Sequence, residues 1–178
     1  TKEQVATELP PKTENLFYCQ MSEEQAAVYE EVKSEYRNEL LKSLEDGTFA
    51  KTQIQVLQGL TKLRQIANHP YMIDQEYEGD SGKFENVTHT LNTVLDGGHK
   101  VLIFSQFVKQ LSIYRNHFDK QGIPYVYLDG STQNRGDVVA QFQEDKSKRV
   151  FLISLKAGGV GLNLTEADYV FILDPWWN

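Results

Sequence analysis

The sequence predicts an α/β fold, a doubly wound parallel sheet with helices on both faces, carrying an N-terminal helical hairpin protrusion. Continuous apolar runs such as Val101-Leu102-Ile103-Phe104 and Val150-Phe151-Leu152-Ile153 suit strands buried on both faces of a parallel sheet. Helical periodicity alternates with these runs from residue 83 onward, the rhythm of a layered α/β sheet. Upstream, two amphipathic stripes follow one another closely and read as a helical hairpin.

The elements follow in order. Leu9-Pro10-Pro11-Lys12 excludes a helix, because proline lacks the amide and restricts its predecessor. Asn15-Leu16-Phe17-Tyr18-Cys19 is short and aromatic and suits a strand, with Cys19 half-buried in it. Ser22 and Gln25 have capping-box spacing. Tyr29, Val32, Tyr36, Leu40 and Leu44 then form one helical stripe that Gly47 terminates. A second helix is expected over 52–68, with Val56, Leu60, Leu63 and Ala67 on one face and Pro70 beyond its end. Both helices are expected to carry acidic outer faces. Residues 75–82 are poor in apolar side chains and read as a linker. Beyond it come a helix over about 84–95, a strand at 101–104, a helix over 108–120 and a strand at 125–128. A helix over about 134–144 follows, then strands at 150–154 and 169–173.

The 178 residues suffice for one α/β domain and a smaller appendage. The net charge of −7 is uneven: residues 1–80 carry 8 Lys+Arg and 15 Asp+Glu, residues 81–178 ten of each. The acidity belongs to the first part, so the second would bind phosphate through local groups rather than a basic face. Cys19 is the sole cysteine, which excludes an internal disulfide and any Cys-based metal cluster. His69 has no second ligand at metal spacing and reads as structural, while His89, His99 and His117 follow no pattern. No metal site is expected. The sequence shows no apolar run of membrane-spanning length and no leader, so an intracellular setting without a membrane partner is expected.

Ligands of doubly wound sheets sit at the carboxyl ends of the strands. Those ends carry Ser105-Gln106-Phe107, Asp129-Gly130-Ser131-Thr132, a glycine-rich loop from Leu155 to Asn163, and Asp174-Pro175-Trp176-Trp177-Asn178. Gly158, Gly159 and Gly161 would let backbone amides form an anion nest; a tight structural turn is the competing reading. The loop is not a P-loop, since no Gly-Lys-Ser/Thr closes it, and Leu164 replaces the last glycine of a G-x-G-x-x-G. A Rossmann-type oxidoreductase is thereby disfavoured. Thr132 reads as a helix N-cap or a phosphate contact, and both fit a helix start. Asp129 and Asp174 read as turn caps, and Arg64 as a salt-bridge partner for the acidic hairpin.

Several of these segments resemble one family. Lys100-Val101-Leu102-Ile103-Phe104-Ser105-Gln106-Phe107 resembles motif four of the Swi/Snf-type DNA-dependent ATPases, and Leu128-Asp129-Gly130-Ser131-Thr132 with Arg135 resembles the next signature. The run from Leu155 to Thr165 is similar to motif five, and Asp174-Pro175-Trp176-Trp177-Asn178 to the segment after it. Leu63-Arg64-Gln65-Ile66-Ala67-Asn68-His69-Pro70 resembles the family's Leu-Arg-x-x-x-Asn-His-Pro helix end. The resemblance is collinear over nearly the whole chain.

It implies a RecA-like second motor lobe in a two-lobed, ATP-driven double-stranded DNA translocase. On that reading residues 1–21 end the preceding lobe, 22–74 form a helical protrusion, 75–82 a linker and 83–178 the C-terminal lobe. Ser105, Gln106, Ser131, Thr132, Lys156, Ala157, Gly158, Gly159 and Trp177 would face DNA, and Gly161 and Asn163 the nucleotide. Arg135 would brace a loop or meet the DNA backbone; Trp176 would pack within the lobe. The nucleotide-cradling lobe, which would hold most of ATP and Mg²⁺, is not in this sequence, nor are the arginines of motif six that would reach the γ-phosphate. This piece is therefore expected to have no catalytic residues and no activity alone, and its natural chain to be longer at both ends. A strand-separating helicase and a non-enzymatic nucleotide-binding scaffold of the same fold are the alternatives.

Overall fold

The computed structural model describes residues 12–47, 49–159 and 161–174. Strands β1 (Val101–Ser105), β2 (Tyr125–Leu128), β3 (Val150–Ser154) and β4 (Tyr169–Ile172) are all parallel, in the order β2-β3-β1-β4. The helices are α1 (Glu23–Glu45), α2 (Phe49–Asn68), α3 (Gly82–Asp96), α4 (Val108–Gln121), α5 (Arg135–Glu144) and the single turn α6 (Leu155–Gly158). A 3₁₀ turn spans Pro70–Met72.

The period of two in the strands sorts the core into two layers. Val101, Ile103, Val150 and Leu152 pack with Leu91 and Leu95 of α3 and with Leu111, Tyr114 and Phe118 of α4. Leu102, Val126, Leu128, Phe151 and Ile153 pack on the opposite face with Phe142 of α5 and Ala157 of α6. Burial on both faces thus holds for the central strands. On β4, Phe171 joins the first layer, but Val170 and Ile172 remain 55% and 62% exposed. β4 is an edge strand, and no described element covers that side of it.

In the hairpin, the Ser22–Gln25 capping box forms as its spacing requires, with the Gln25 amide donating to Ser22 Oγ at 3.1 Å. The buried face of α2 differs from the expected one. Thr52, Gly59 and Ile66 are buried, whereas Leu60 and, on α1, Leu44 are exposed. The reason is Gly59: a β-carbon there would lie 2.7 Å from the Tyr36 ring, so the helices approach along the glycine side. The acidic outer face belongs to α1 alone, because α2 contains no Asp or Glu. The expected strand at 15–19 does not form; Leu16, Phe17 and Tyr18 are exposed and pair with no described strand. Cys19 is half-buried, in irregular chain.

A fully buried side chain, Gln25, is one of the ties between the hairpin and the sheet layer. Gln25 donates through Nε2 to the carbonyls of Ile66 (2.8 Å) and Ala67 (3.3 Å), and its Oε1 accepts from the amides of Gly82 (3.1 Å) and Ser22 (3.3 Å). It is fully buried. Gly82 opens α3 there because nothing larger fits: a β-carbon would stand 1.7 Å from the Gln20 carbonyl oxygen. Ser81 caps α3 and donates its hydroxyl to the Asn68 carbonyl at 2.7 Å. His69 plays its expected structural part, with Nδ1 accepting from the Tyr71 amide at 3.2 Å and the ring edge-on to Phe84. Burial holds its pKa below the usual histidine value.

Candidate functional site at the carboxyl ends of the strands

All four strands run the same way, so the loops after them emerge along one edge of the sheet. After β1, Ser105 is fully buried, and its hydroxyl lies 3.0 Å from Gln110 Oε1 and 3.3 Å from Asp174 Oδ2 while accepting from the Phe107 amide at 3.0 Å. Its hydroxyl is committed to the turn, which corrects its assignment as a direct phosphate contact. Gln106 is half-buried, with its amide donating to both Asp174 oxygens at 3.1 and 3.2 Å. Asp174 therefore ties the end of β1 to the end of β4.

Lys83 meets this bridge from below. Its ammonium donates to Asn68 Oδ1 at 2.6 Å and to the Leu173 carbonyl at 2.9 Å. Burial depresses its pKa, and the Asp174 carboxylate opposes that depression. Burial raises the Asp174 pKa, against the hydrogen bonds from Gln106 and Ser105. Arg64, expected to pair with hairpin acids, has its guanidinium over the Phe107 ring at 5.6 Å.

After β2, Asp129 organises its own turn. Oδ1 accepts from the Ser131 amide at 2.8 Å and from the Ser131 hydroxyl at 2.6 Å, and Oδ2 from the Tyr127 hydroxyl at 2.8 Å. Thr132 Oγ1 accepts from the Asp129 amide at 2.9 Å. Thr132 thus belongs to this turn and not to the helix start. The N-cap of α5 is Asn134, left-handed at φ 49°, without a side-chain cap bond. Gly130 and Ser131 are exposed; Arg135 is half-buried and makes no hydrogen bond or ion pair among the described residues. Hydrogen bonds from Ser131 and Tyr127 hold the Asp129 carboxyl at about 2. A depressed carboxyl stabilises above its unfolded value near 3.8 and loses that contribution as pH falls through about 2. We expect NMR titration to place Asp129 at that low value and Ser131→Ala to raise it. Water screens this carboxylate, so the accompanying stability change is small.

After β3, the glycine-rich segment begins with a single helical turn, Leu155–Gly158. Ser154 caps α6 by accepting from the Ala157 amide at 3.3 Å. Ala157 is buried in the second core layer, so its side chain faces away from any ligand. Gly158 packs on the sheet: a β-carbon would lie 2.8 Å from Phe104. Gly159 has open space around it, and Gly161 takes φ +61°. Lys156 is exposed, and so is Asn163, between the inward-facing Leu162 and Leu164. The Asn163 carbonyl accepts from Gln143 Nε2. Trp176 and Trp177 lie outside the described residues.

The exposed residues along this edge are thus Gly130, Ser131, Lys156, Gly159, Gly161 and Asn163, small and polar groups with one cation, suited to phosphate and sugar oxygens. Among the described residues no three His, Cys, Asp or Glu gather as a metal ion requires. None of the described residues forms a P-loop. Sequence reasoning missed Gln25, Gly82 and Lys83 as junction residues. The Gly82-Lys83 pair at the start of a helix after a polar stretch was the available signal, since glycine is otherwise disfavoured inside a helix.

Comparison with known proteins agrees with this architecture. The helicase conserved C-terminal domain model matches residues 82–178, and the SNF2-related domain model matches residues 1–72. A mouse chromodomain-helicase-DNA-binding protein 1-like is 38% identical over 99% of this chain and 20% of its own length. The chain spans about a fifth or less of the length of such curated relatives. Among solved structures, the Sulfolobus solfataricus SWI2/SNF2 ATPase C-terminal domain superposes with a TM-score of 0.77 at 34% identity, covering 91% of this chain and 72% of that one. The Sulfolobus solfataricus SWI2/SNF2 ATPase core in complex with dsDNA gives 0.74 at 34% identity, covering 90% of this chain and 34% of that one. The strand order, the hairpin ahead of the sheet and these matches lead to one conclusion: the chain belongs to the Swi/Snf-type family of helicase-like ATPases, within its RecA-like C-terminal lobe.

Proposed function

We propose that this chain works as the second motor lobe of an ATP-driven double-stranded DNA translocase. The observation that carries the proposal is the row of exposed small and polar residues with Lys156 along one sheet edge, in a family with a member solved on duplex DNA. Lys156, Ser131 and the backbone of Gly158 and Gly159 face DNA phosphates in this reading, while Gln106, its side-chain nitrogen buried and its backbone amide on Asp174, shapes the loop beside them. Gly161 and Asn163 face the nucleotide, and the motif resemblance assigns Trp177 to DNA. Ser105, Thr132 and Ala157 act by shaping the loops, since their side chains are engaged or buried. Residues 22–74 form the protrusion, 75–82 the connection and 83 onward the lobe. ATP with its Mg²⁺ is held chiefly by a first lobe elsewhere in the protein, so this segment alone hydrolyses nothing. The setting is intracellular.

The intact two-lobed protein tests the reading. Its ATPase rate is expected to rise on adding duplex DNA. Lys156→Ala is expected to weaken DNA binding and to lower the salt dependence, the slope of log K against log[salt] falling by about 0.9 for one lost phosphate contact. An ATPase indifferent to DNA sinks the motor reading. An unchanged slope removes Lys156 from the interface.

A further inference from the structure

The position of Lys83 has no part in the loop contacts proposed above, yet it joins two units. Asn68 is the last residue of α2, the hairpin helix, and its side chain is buried. Leu173 and Asp174 close β4, and both are buried. One ammonium reaches the first through Oδ1 and the second through the Leu173 carbonyl. From Asp174 the hydrogen bonds continue to the Gln106 amide and the Ser105 hydroxyl. Lys83 thus links the end of the hairpin to the Leu173 carbonyl, and the next residue in the chain, Asp174, carries the connection on to the loop after β1.

We infer that Lys83 is a positioning residue that couples the stance of the helical hairpin to the strand-end loops, and so couples DNA engagement to ATP hydrolysis in the two-lobed motor. This deepens the motor reading and rests on it. The physical argument is one of alternatives. A half-buried lysine left without its acceptors is destabilising, because its charge is partly withdrawn from water. Moving the hairpin end relative to β4 breaks one acceptor or carries the other along. The hairpin and the strand-end loops then shift together, as coupling through a contiguous network requires. The same burial that depresses its pKa makes the cost of a lost acceptor high.

The test uses the intact two-lobed protein and compares unstimulated with duplex-DNA-stimulated ATPase. For Lys83→Met the stimulated kcat is expected to fall on the order of tenfold. The unstimulated rate and the KM for ATP are expected to stay within about twofold. Asn68→Ala should uncouple in the same way, and Asn68→Asp should keep the coupling by offering the ammonium an anionic acceptor. Equal losses in stimulated and unstimulated rates, or no loss in either, overturn the inference. Should Lys83→Met fail to fold, the Asn68 pair decides: Ala uncoupled with Asp coupled supports it, and identical behaviour of the two overturns it. A stimulated wild type beside a fully stimulated Lys83→Met defeats the coupling role alone. A wild type that DNA does not stimulate defeats the motor reading beneath it.

Discussion

Gly82→Ala is expected to cost roughly 3–5 kcal/mol of folding stability, the range of a substitution that a packed backbone cannot absorb. The new β-carbon would fall 1.7 Å from the Gln20 carbonyl oxygen, with Met21 Cα also within 4 Å. These are backbone atoms, so no rotamer change relieves the clash. Either the 20–21 segment withdraws or α3 starts later, and both options detach the Gly82 amide from Gln25 Oε1. Urea unfolding followed by circular dichroism measures the loss. Gly130→Ala is the control: nothing lies within 4 Å of its β-position, and its change should stay within about 0.5 kcal/mol. A Gly82→Ala protein as stable as the control would show that the junction yields easily.

The second large effect concerns Gln25. Its truncation to Ala removes four hydrogen bonds from a fully buried position and leaves the Ile66 carbonyl and the Gly82 amide with one partner fewer. Unsatisfied buried groups cost about 1–3 kcal/mol each, so a loss of about 3 kcal/mol is expected. Gln25→Met keeps most of the volume and should be nearly as damaging, because the lost element is polar. Recovery of wild-type stability in the Met variant would mean that Gln25 merely fills space. The double variant with Gly82→Ala should lose less than the two single losses combined, since both break the same bond.

Much of the fold was legible in the residues themselves. Tyr125–Leu128 and Val150–Ser154 form strands over the residues that their apolar runs mark, and Ser22 caps with Gln25 as the spacing requires. Local signals suffice there, because period and capping chemistry are properties of neighbours in the chain. The failures arise where distant residues decide. Leu16-Phe17-Tyr18 has strand composition, but no described edge lies alongside it, and composition cannot supply a hydrogen-bonding partner. The buried face of α2 was set by Tyr36 settling on Gly59, a contact between helices that hydrophobic periodicity weighs the wrong way. The glycine-rich segment looked like an anion nest, yet Gly158 is small because Phe104 lies beneath it.

The candidate site divides in the same manner. Its place at the carboxyl strand ends followed from topology, which alternating elements imply. Which side chains face outward did not. Ser105 and Lys156 look equally available in a string of letters, but only the lysine is exposed; the serine hydroxyl is engaged by Gln110, Asp174 and the Phe107 amide. Asp174 as the tie between β1 and β4 depends on residues 68 positions apart, beyond the reach of any local pattern.

The strand order has a consequence for how the chain is made. Of the four described strands, β1 and β2 leave the ribosome first, yet neither borders the other; β3 lies between them. Each pairs only with a strand that comes later in the sequence. No ladder of this sheet can close until Val150–Ser154 has been synthesised. The hairpin needs no such delay, because α1 and α2 are neighbours in sequence and can form their contacts early. Until β3 arrives, the apolar runs of β1 and β2 have no edge to join, which makes this interval the one in which the nascent chain is most exposed to misassembly.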